Sequence, residues 1–169
     1  MSSLSGDLKL IRPIQAHEKE NILAIINAAA QAYKGVIPED CWHEPYMSLS
    51  ELEGELRAGV NFWGEEEAGR LRGVMGRQDL GEVILIRHAY VHPDWQRRGV
   101  GVRLLASLLS GVSGPLLVGT WAAAHWAIRF YDKNGFTLVS NQEKERLLRT
   151  YWTISDRQIE TSVVLARPL

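Results

Sequence analysis

The chain contains a single cysteine, Cys41, among 169 residues, which excludes an internal disulfide framework and a cysteine-built zinc cluster. It has no apolar run near the roughly 20 residues that a membrane-crossing helix needs. Neither sign of charge is in excess. The 19 basic and 20 acidic side chains leave a formal net charge of −1 at pH 7, unlike the strongly basic surface of proteins that grip long nucleic acid. The opening MSSLSGDLKL lacks the charged-then-apolar layout of a secretory leader. Two phosphate-binding patterns are missing as well. No Gly-Lys pair occurs, so G-x-x-x-x-G-K-[ST] is absent, and G-x-G-x-x-G fails because Leu104 stands where its third glycine would be. The expectation left by these absences is a soluble, cytoplasmic chain forming one domain over residues 1–169. It would have no membrane or nucleic-acid partner, and enough length to bury a core without staples.

What is present is unevenly distributed. Residues 1–80 carry 8 basic and 13 acidic side chains, a net of −5, whereas residues 81–169 carry 11 and 7, a net of +4. The near-zero total therefore hides a basic half suited to an anion and an acidic half suited to a cation. Lys9–Ile14 reads as a strand. His17–Tyr33 places Ile22, Ile25, Ile26, Ala29 and Tyr33 on one helical face, with Gly35 to end it. Residues 36–47 have two prolines and no period, and read as an aromatic loop. Ser48 with Glu51 forms a capping box before a helix carrying Leu49, Leu52 and Leu56.

Strands follow at Val60–Glu66, Arg70–Gln78 and Glu82–Val91, separated by turn residues as in an antiparallel meander. The continuous VILI of the third predicts burial on both faces. A helix over Gly99–Ser110, a strand over Leu116–Thr120, a helix over Ala122–Asn134 and a strand over Phe136–Val139 come next. Ser140 and Glu143 cap a helix to about Trp152, and Thr161–Ala166 is the last strand. The order predicts a mixed α+β (α/β) sheet covered by helices and excludes a pure sandwich and a helix bundle.

The most informative stretch runs from Val83 to Leu109. A buried strand ends at Val91-His92-Pro93 and turns into a helix through Gln96-Arg97-Arg98-Gly99-Val100-Gly101. Glycines let a ligand approach the backbone closely. The first turn of a helix presents unpaired N–H groups and partial positive charge, which suit phosphate. Arg97 and Arg98 add cationic side chains beside it.

These residues resemble the GCN5-related N-acetyltransferase (GNAT) family, whose signature [Q/R]-x-x-G-x-[G/A] follows an aliphatic-x-Val-x-Pro strand. Here the matching residues are Ala89-Tyr90-Val91-His92-Pro93 and Gln96–Gly101. A second segment, Trp126-Ala127-Ile128-Arg129-Phe130-Tyr131-Asp132-Lys133-Asn134-Gly135-Phe136, resembles the family's A-x-x-F-Y-x-K-x-G-F. The resemblance implies a central, twisted, mostly antiparallel sheet splayed around the cofactor, with helices on both faces. It implies acetyl-coenzyme A as acyl donor, with its pyrophosphate on the amides of Gln96, Arg97, Arg98, Gly99, Val100 and Gly101. Its pantetheine arm would lie along Tyr90 and Val91, with Tyr131 and Lys133 nearby. Ala124 departs from the family, which often carries asparagine there, and Arg129, Lys133 or His125 could compensate.

Acetyl transfer to an amine needs a base, a polarised carbonyl and an acid for the departing thiolate. The resemblance makes Tyr131 the acid and an N–H near Tyr90 or Val91 the polariser. The family's strand glutamate is replaced by Leu85. His88 is a candidate base, Glu82 a weaker one, and ordered water an alternative to both. The segment Tyr33–Met47 matches the family's acceptor side. Tyr33, Trp42 and Tyr46 (with Met47) would form an aromatic wall there, and Glu39, Asp40 and Glu44 would attract a cationic amine. Cys41 and His43, two residues apart without an orienting third group, do not make a nucleophile. His43, His88, His92 and His125 share no metal-ligand spacing, so no metal is expected. Of the six tryptophans, Trp95 and Trp126 flank the cofactor motifs and Trp42 the acceptor loop, while Trp63, Trp121 and Trp152 read as packing. The expected activity is N-acetylation of a small-molecule or peptide amine by a monomer or homodimer. The alternatives are a non-catalytic acyl-coenzyme A sensor, or the same fold with another acyl donor or a hydroxyl acceptor.

Overall fold

The computed structural model describes residues 9–168. β1 (Leu10–Pro13) leads through a short 3-10 turn into α1 (Lys19–Ala30), whose buried face is Ile22, Ile25, Ile26 and Ala29. A second 3-10 turn, Gln31–Tyr33, extends that helix, and Gly35 ends it at φ +78°. α2 (Leu49–Arg57) starts where Ser48 Oγ accepts from the Glu51 amide at 3.1 Å. The meander is β2 (Val60–Glu67), β3 (Arg70–Asp79) and β4 (Ile84–Val91), followed by α3 (Val100–Leu109) and β5 (Leu116–Trp121). The rest is α4 (His125–Lys133), β6 (Thr137–Leu138), α5 (Asn141–Tyr151), α6 (Asp156–Glu160) and β7 (Ser162–Arg167).

Two differences from the sequence reading stand out. The helix expected from Ala122 begins only at His125, because Trp121 continues β5 and pairs with Ser162 of β7. α6 was not expected. Its start is nonetheless written in Ser155, whose Oγ accepts from the Gln158 amide at 3.2 Å.

One seven-stranded sheet has the order β1-β2-β3-β4-β5-β7-β6. Every neighbour pair is antiparallel except β4 and β5, which are parallel. Strand alternation divides the core between two faces. Val74 of β3 packs with Ile22, Ile26, Leu52 and Phe62 under α1 and α2, and Leu85 and Leu117 pack with Leu147, Leu148 and Ile159 under α5 and α6. Met75, Ile84, Ile86 and Val118 turn to the other face, under Leu104, Leu105 and Leu108 of α3 and Tyr131 of α4. Helices thus cover both faces. No helix among the described residues is long and apolar enough to cross a membrane.

The sheet parts at its parallel pair. β4 and β5 are in register only over Ile84–Ile86 and Leu116–Val118. Beyond Ile86, β4 continues to pair with β3 alone. Within that continuation Gly76 pairs with Arg87 and Val74 with Tyr90, so His88 and Ala89 together oppose Met75. This is a β-bulge, with His88 in the left-handed region at φ +53°. The bend and the parting leave one edge of Arg87–Val91 without a strand partner, in the middle of the sheet.

Candidate active site

The Gln96–Gly101 turn lies at one end of this opening. A 3-10 turn over Pro93–Trp95 carries the chain out of β4, and Gly99 caps α3 at φ +80°. Arg97 also has positive φ, +63°, and both Arg97 and Arg98 are exposed. Val100 is buried in the α3 core and anchors the turn, while Gln96 Nε2 donates to the Val91 oxygen at 3.2 Å. At Gly101 a Cβ would stand 3.2 Å from Phe130 of α4, so glycine lets α3 and α4 approach each other closely. Trp95 holds Arg98 nearby, its ring centroid 4.7 Å from that guanidinium and 3.4 Å from that of Arg72.

On the opposite face, a cavity of about 150 Å³ opens where β4 and β5 separate. Its wall includes Tyr33, Tyr46, His88, Tyr90, Trp121 and Trp152. Trp121 Nε1 donates to the Tyr46 hydroxyl at 2.8 Å, and the Tyr33 and Tyr90 hydroxyls are 3.4 Å apart. Burial pushes the pKa of all three tyrosines up, so their hydroxyls stay protonated at neutral pH. Trp121 and Trp152 pack in the core as expected and also line this cavity. Trp42 stacks on Tyr46 at 5.9 Å as a support behind the wall. Trp126 lies 41% exposed and stacks on Tyr33 at 5.9 Å.

The bulge brings His88 into this cavity with a partner that the sequence reading did not find. His88 Nε2 lies 3.0 Å from Oε2 of Glu55 on α2, and Arg87 Nη1 is 3.2 Å from the same oxygen. A carboxylate only accepts, so Nε2 carries a proton, and in the neutral form of the ring Nδ1 is the basic nitrogen. Burial pushes the Glu55 carboxyl up. The hydrogen bond from His88, with the charges of His88 and Arg87, outweighs that and holds it below its ordinary value. Glu55 and His88 are 33 residues apart, and only the fold joins them. Leu85, at the position of the family's strand glutamate, is fully buried under α5 and α6 and faces no cavity.

Tyr131 is 5% exposed on α4, edge-on to Phe130 and Phe136. Burial first, and the charge interaction with Tyr33 second, push its pKa up, which keeps its proton in place. Lys133, two residues on and exposed, points about 200° around the helix from Tyr131. Ala124 is fully buried with Ala30, Tyr33, Ile37 and Trp121, so packing fills that position. Two of the three acidic residues expected to attract an amine are paired with other side chains. Asp40 accepts twice from Arg157 at 2.9 and 3.1 Å, Glu44 pairs with Lys34 at 3.3 Å, and neither lines the cavity. Cys41 is half-buried against the Tyr33 cluster.

The glycine turn and the parted strand edge meet at this opening, and residues 58–138 match the family model of the acetyltransferase (GNAT) domain. Over those residues the chain is similar to GNAT acetyltransferases, and its fold is the one their solved structures have. Among solved structures, it is similar to the PaiA N-acetyltransferase of Thermoplasma acidophilum in complex with coenzyme A. That likeness has a TM-score of 0.71 and 17% identity, over 96% of this chain and 99% of the other. The ribosomal-protein-S18-alanine N-acetyltransferase of Escherichia coli matches with a TM-score of 0.66 and 17% identity, over 95% and 94% of the two chains. In sequence, this chain is 31% identical over 154 residues to the tRNA(Met) cytidine acetyltransferase TmcA of Aeropyrum pernix. The match covers 78% of this chain and 22% of that relative, so the chain spans about a fifth of the relative's length.

Proposed function

We propose that the protein is an N-acetyltransferase that moves the acetyl group of acetyl-coenzyme A to a primary amine by direct transfer within a ternary complex. The reading rests on the parting of β4 from β5, with the Gln96–Gly101 turn on one side and the Tyr33–His88 cavity on the other. The residues present suit the donor. Gly99 gives the turn its left-handed conformation, Arg97 and Arg98 supply cationic side chains, and Tyr90 and Val91 offer a strand edge that β5 does not pair. Acetyl-coenzyme A would bring an acyl thioester, the activated form of the group to be moved.

The chain's own residues then divide the proton work. His88 Nδ1 takes a proton from the incoming ammonium, and Glu55 stabilises the resulting imidazolium through Nε2–H. Tyr131 keeps its proton until the sulfur departs and then donates it. Strand-edge N–H groups near Tyr90 and Val91 polarise the carbonyl. The named acceptors of the relatives, a tRNA cytidine and the alanine of a ribosomal protein, differ in class. The acceptor here is accordingly assigned only as an amine, on a small molecule or peptide.

The test is thiol release from acetyl-coenzyme A with a panel of primary amines, wild type against Tyr131→Phe. Turnover should fall by about 10²- to 10⁴-fold in the variant while coenzyme A affinity is kept. Coenzyme A binding without turnover on any amine, peptide or tRNA would instead support a sensor.

A further inference from the structure

We infer that Arg103, anchored by the buried carboxylate of Glu65, is the positioning residue of the anion-binding turn; this rests on the reading of that turn as the pyrophosphate site. Glu65, Glu66 and Glu67 are consecutive at the end of β2, where the register with β3 shifts between Glu65 and Glu66. Glu66 pairs outward with Arg12, whereas Glu65 turns inward and is 1% exposed. A carboxylate buried that far must be paired and hydrogen-bonded. Its partner is Arg103 of α3, which meets it in a two-pronged contact, Nε to Oε1 and Nη2 to Oε2, the latter at 3.0 Å.

That fork leaves Nη1 free, and Nη1 donates to the carbonyl oxygen of Arg98 at 2.9 Å. In a trans peptide the C=O and the following N–H point in opposite directions. Holding the Arg98 oxygen inward therefore turns the Gly99 N–H outward, toward the place an anion would occupy. Gly99 makes room for the guanidinium, because a Cβ there would stand 2.8 Å from Arg103 Nη1. Arg103 itself sits behind the turn. It acts by fixing one peptide plane, and Glu65 fixes Arg103 in turn.

The experiment is calorimetric titration of the full chain with coenzyme A and, separately, with pantetheine, which lacks the pyrophosphate. Wild type is compared with Arg103→Gln, Arg103→Lys and the charge-neutral double variant Glu65→Gln/Arg103→Gln. Arg103 is 35% exposed in its side chain, so the lysine variant keeps a cation against Glu65 and maintains the fold, as thermal unfolding would verify. Coenzyme A affinity should fall by roughly 10- to 100-fold in all three, with pantetheine affinity changed by less than about twofold. Variants that bind coenzyme A like wild type would overturn the inference. So would equal losses for both ligands, which indicate a merely structural role. Wild type that binds coenzyme A no better than pantetheine would overturn the pyrophosphate reading itself.

Discussion

Gly99→Ala isolates the backbone requirement of the turn, and Gly35→Ala is its matched control. Both glycines lie in the left-handed region, at φ +80° and +78°. Putting an L-residue there costs about 1–2 kcal/mol in either place. They differ in what a Cβ would meet. At Gly35 nothing lies within 4 Å, whereas at Gly99 the new carbon would stand 2.8 Å from Arg103 Nη1. The guanidinium must then move away and release the Arg98 oxygen, a charge-assisted hydrogen bond worth about 1.5–3 kcal/mol. If the turn keeps its shape, that difference appears as lower stability of Gly99→Ala relative to Gly35→Ala in urea denaturation. If the turn relaxes instead, the same energy appears as a loss of coenzyme A affinity of roughly 10- to 150-fold by calorimetry. Gly35→Ala should show only the backbone cost and bind coenzyme A as wild type does. Equal stability losses in the two variants, with wild-type affinity in both, would refute the reasoning.

Glu55→Gln should reduce turnover through loss of the imidazolium's partner and also flatten the acid limb of stability. A carboxyl held below its ordinary value of 4.5 contributes stability above about pH 4.5, which is lost as pH falls through its folded value. Urea denaturation from pH 7 downward, wild type against variant, reads that difference. Tyr46→Phe strips the acceptor from Trp121 Nε1, leaving a donor on a buried side chain unpaired at a cost of about 1–3 kcal/mol in unfolding free energy. Ala124→Asn restores the residue common in the family, but at a fully buried position. It should lower the thermal midpoint through overpacking of about 1–3 kcal/mol, with no gain in coenzyme A affinity by calorimetry.

Much of the fold was legible because its signals are local. Ser48 and Ser140 cap their helices as the spacing indicates, and the meander and the alternation of Val74 with Met75 follow from strand period. The glycine turn was legible for the same reason. The site's second layer was not, because it is made of long-range pairs. Nothing near His88 in sequence points to Glu55, and a left-handed histidine in mid-strand overrides the expected alternation. The three glutamates at 65–67 did hold a hint. On a strand, such a run must turn at least one member inward, and an inward carboxylate needs a cation. The pairing within the acidic loop was not legible either, because it is also long-range: Arg157 of α6, a helix not foreseen, engages Asp40.

The central claim is that the parted strands and the glycine turn form an acyl-coenzyme A site. Thermal unfolding of the chain across a concentration series of acetyl-coenzyme A tests it most directly. The midpoint should climb steadily, by the equivalent of about 2.7 kcal/mol at one hundred times the dissociation constant. A midpoint that stays fixed over the whole series, in wild type and Gly99→Ala alike, would contradict it.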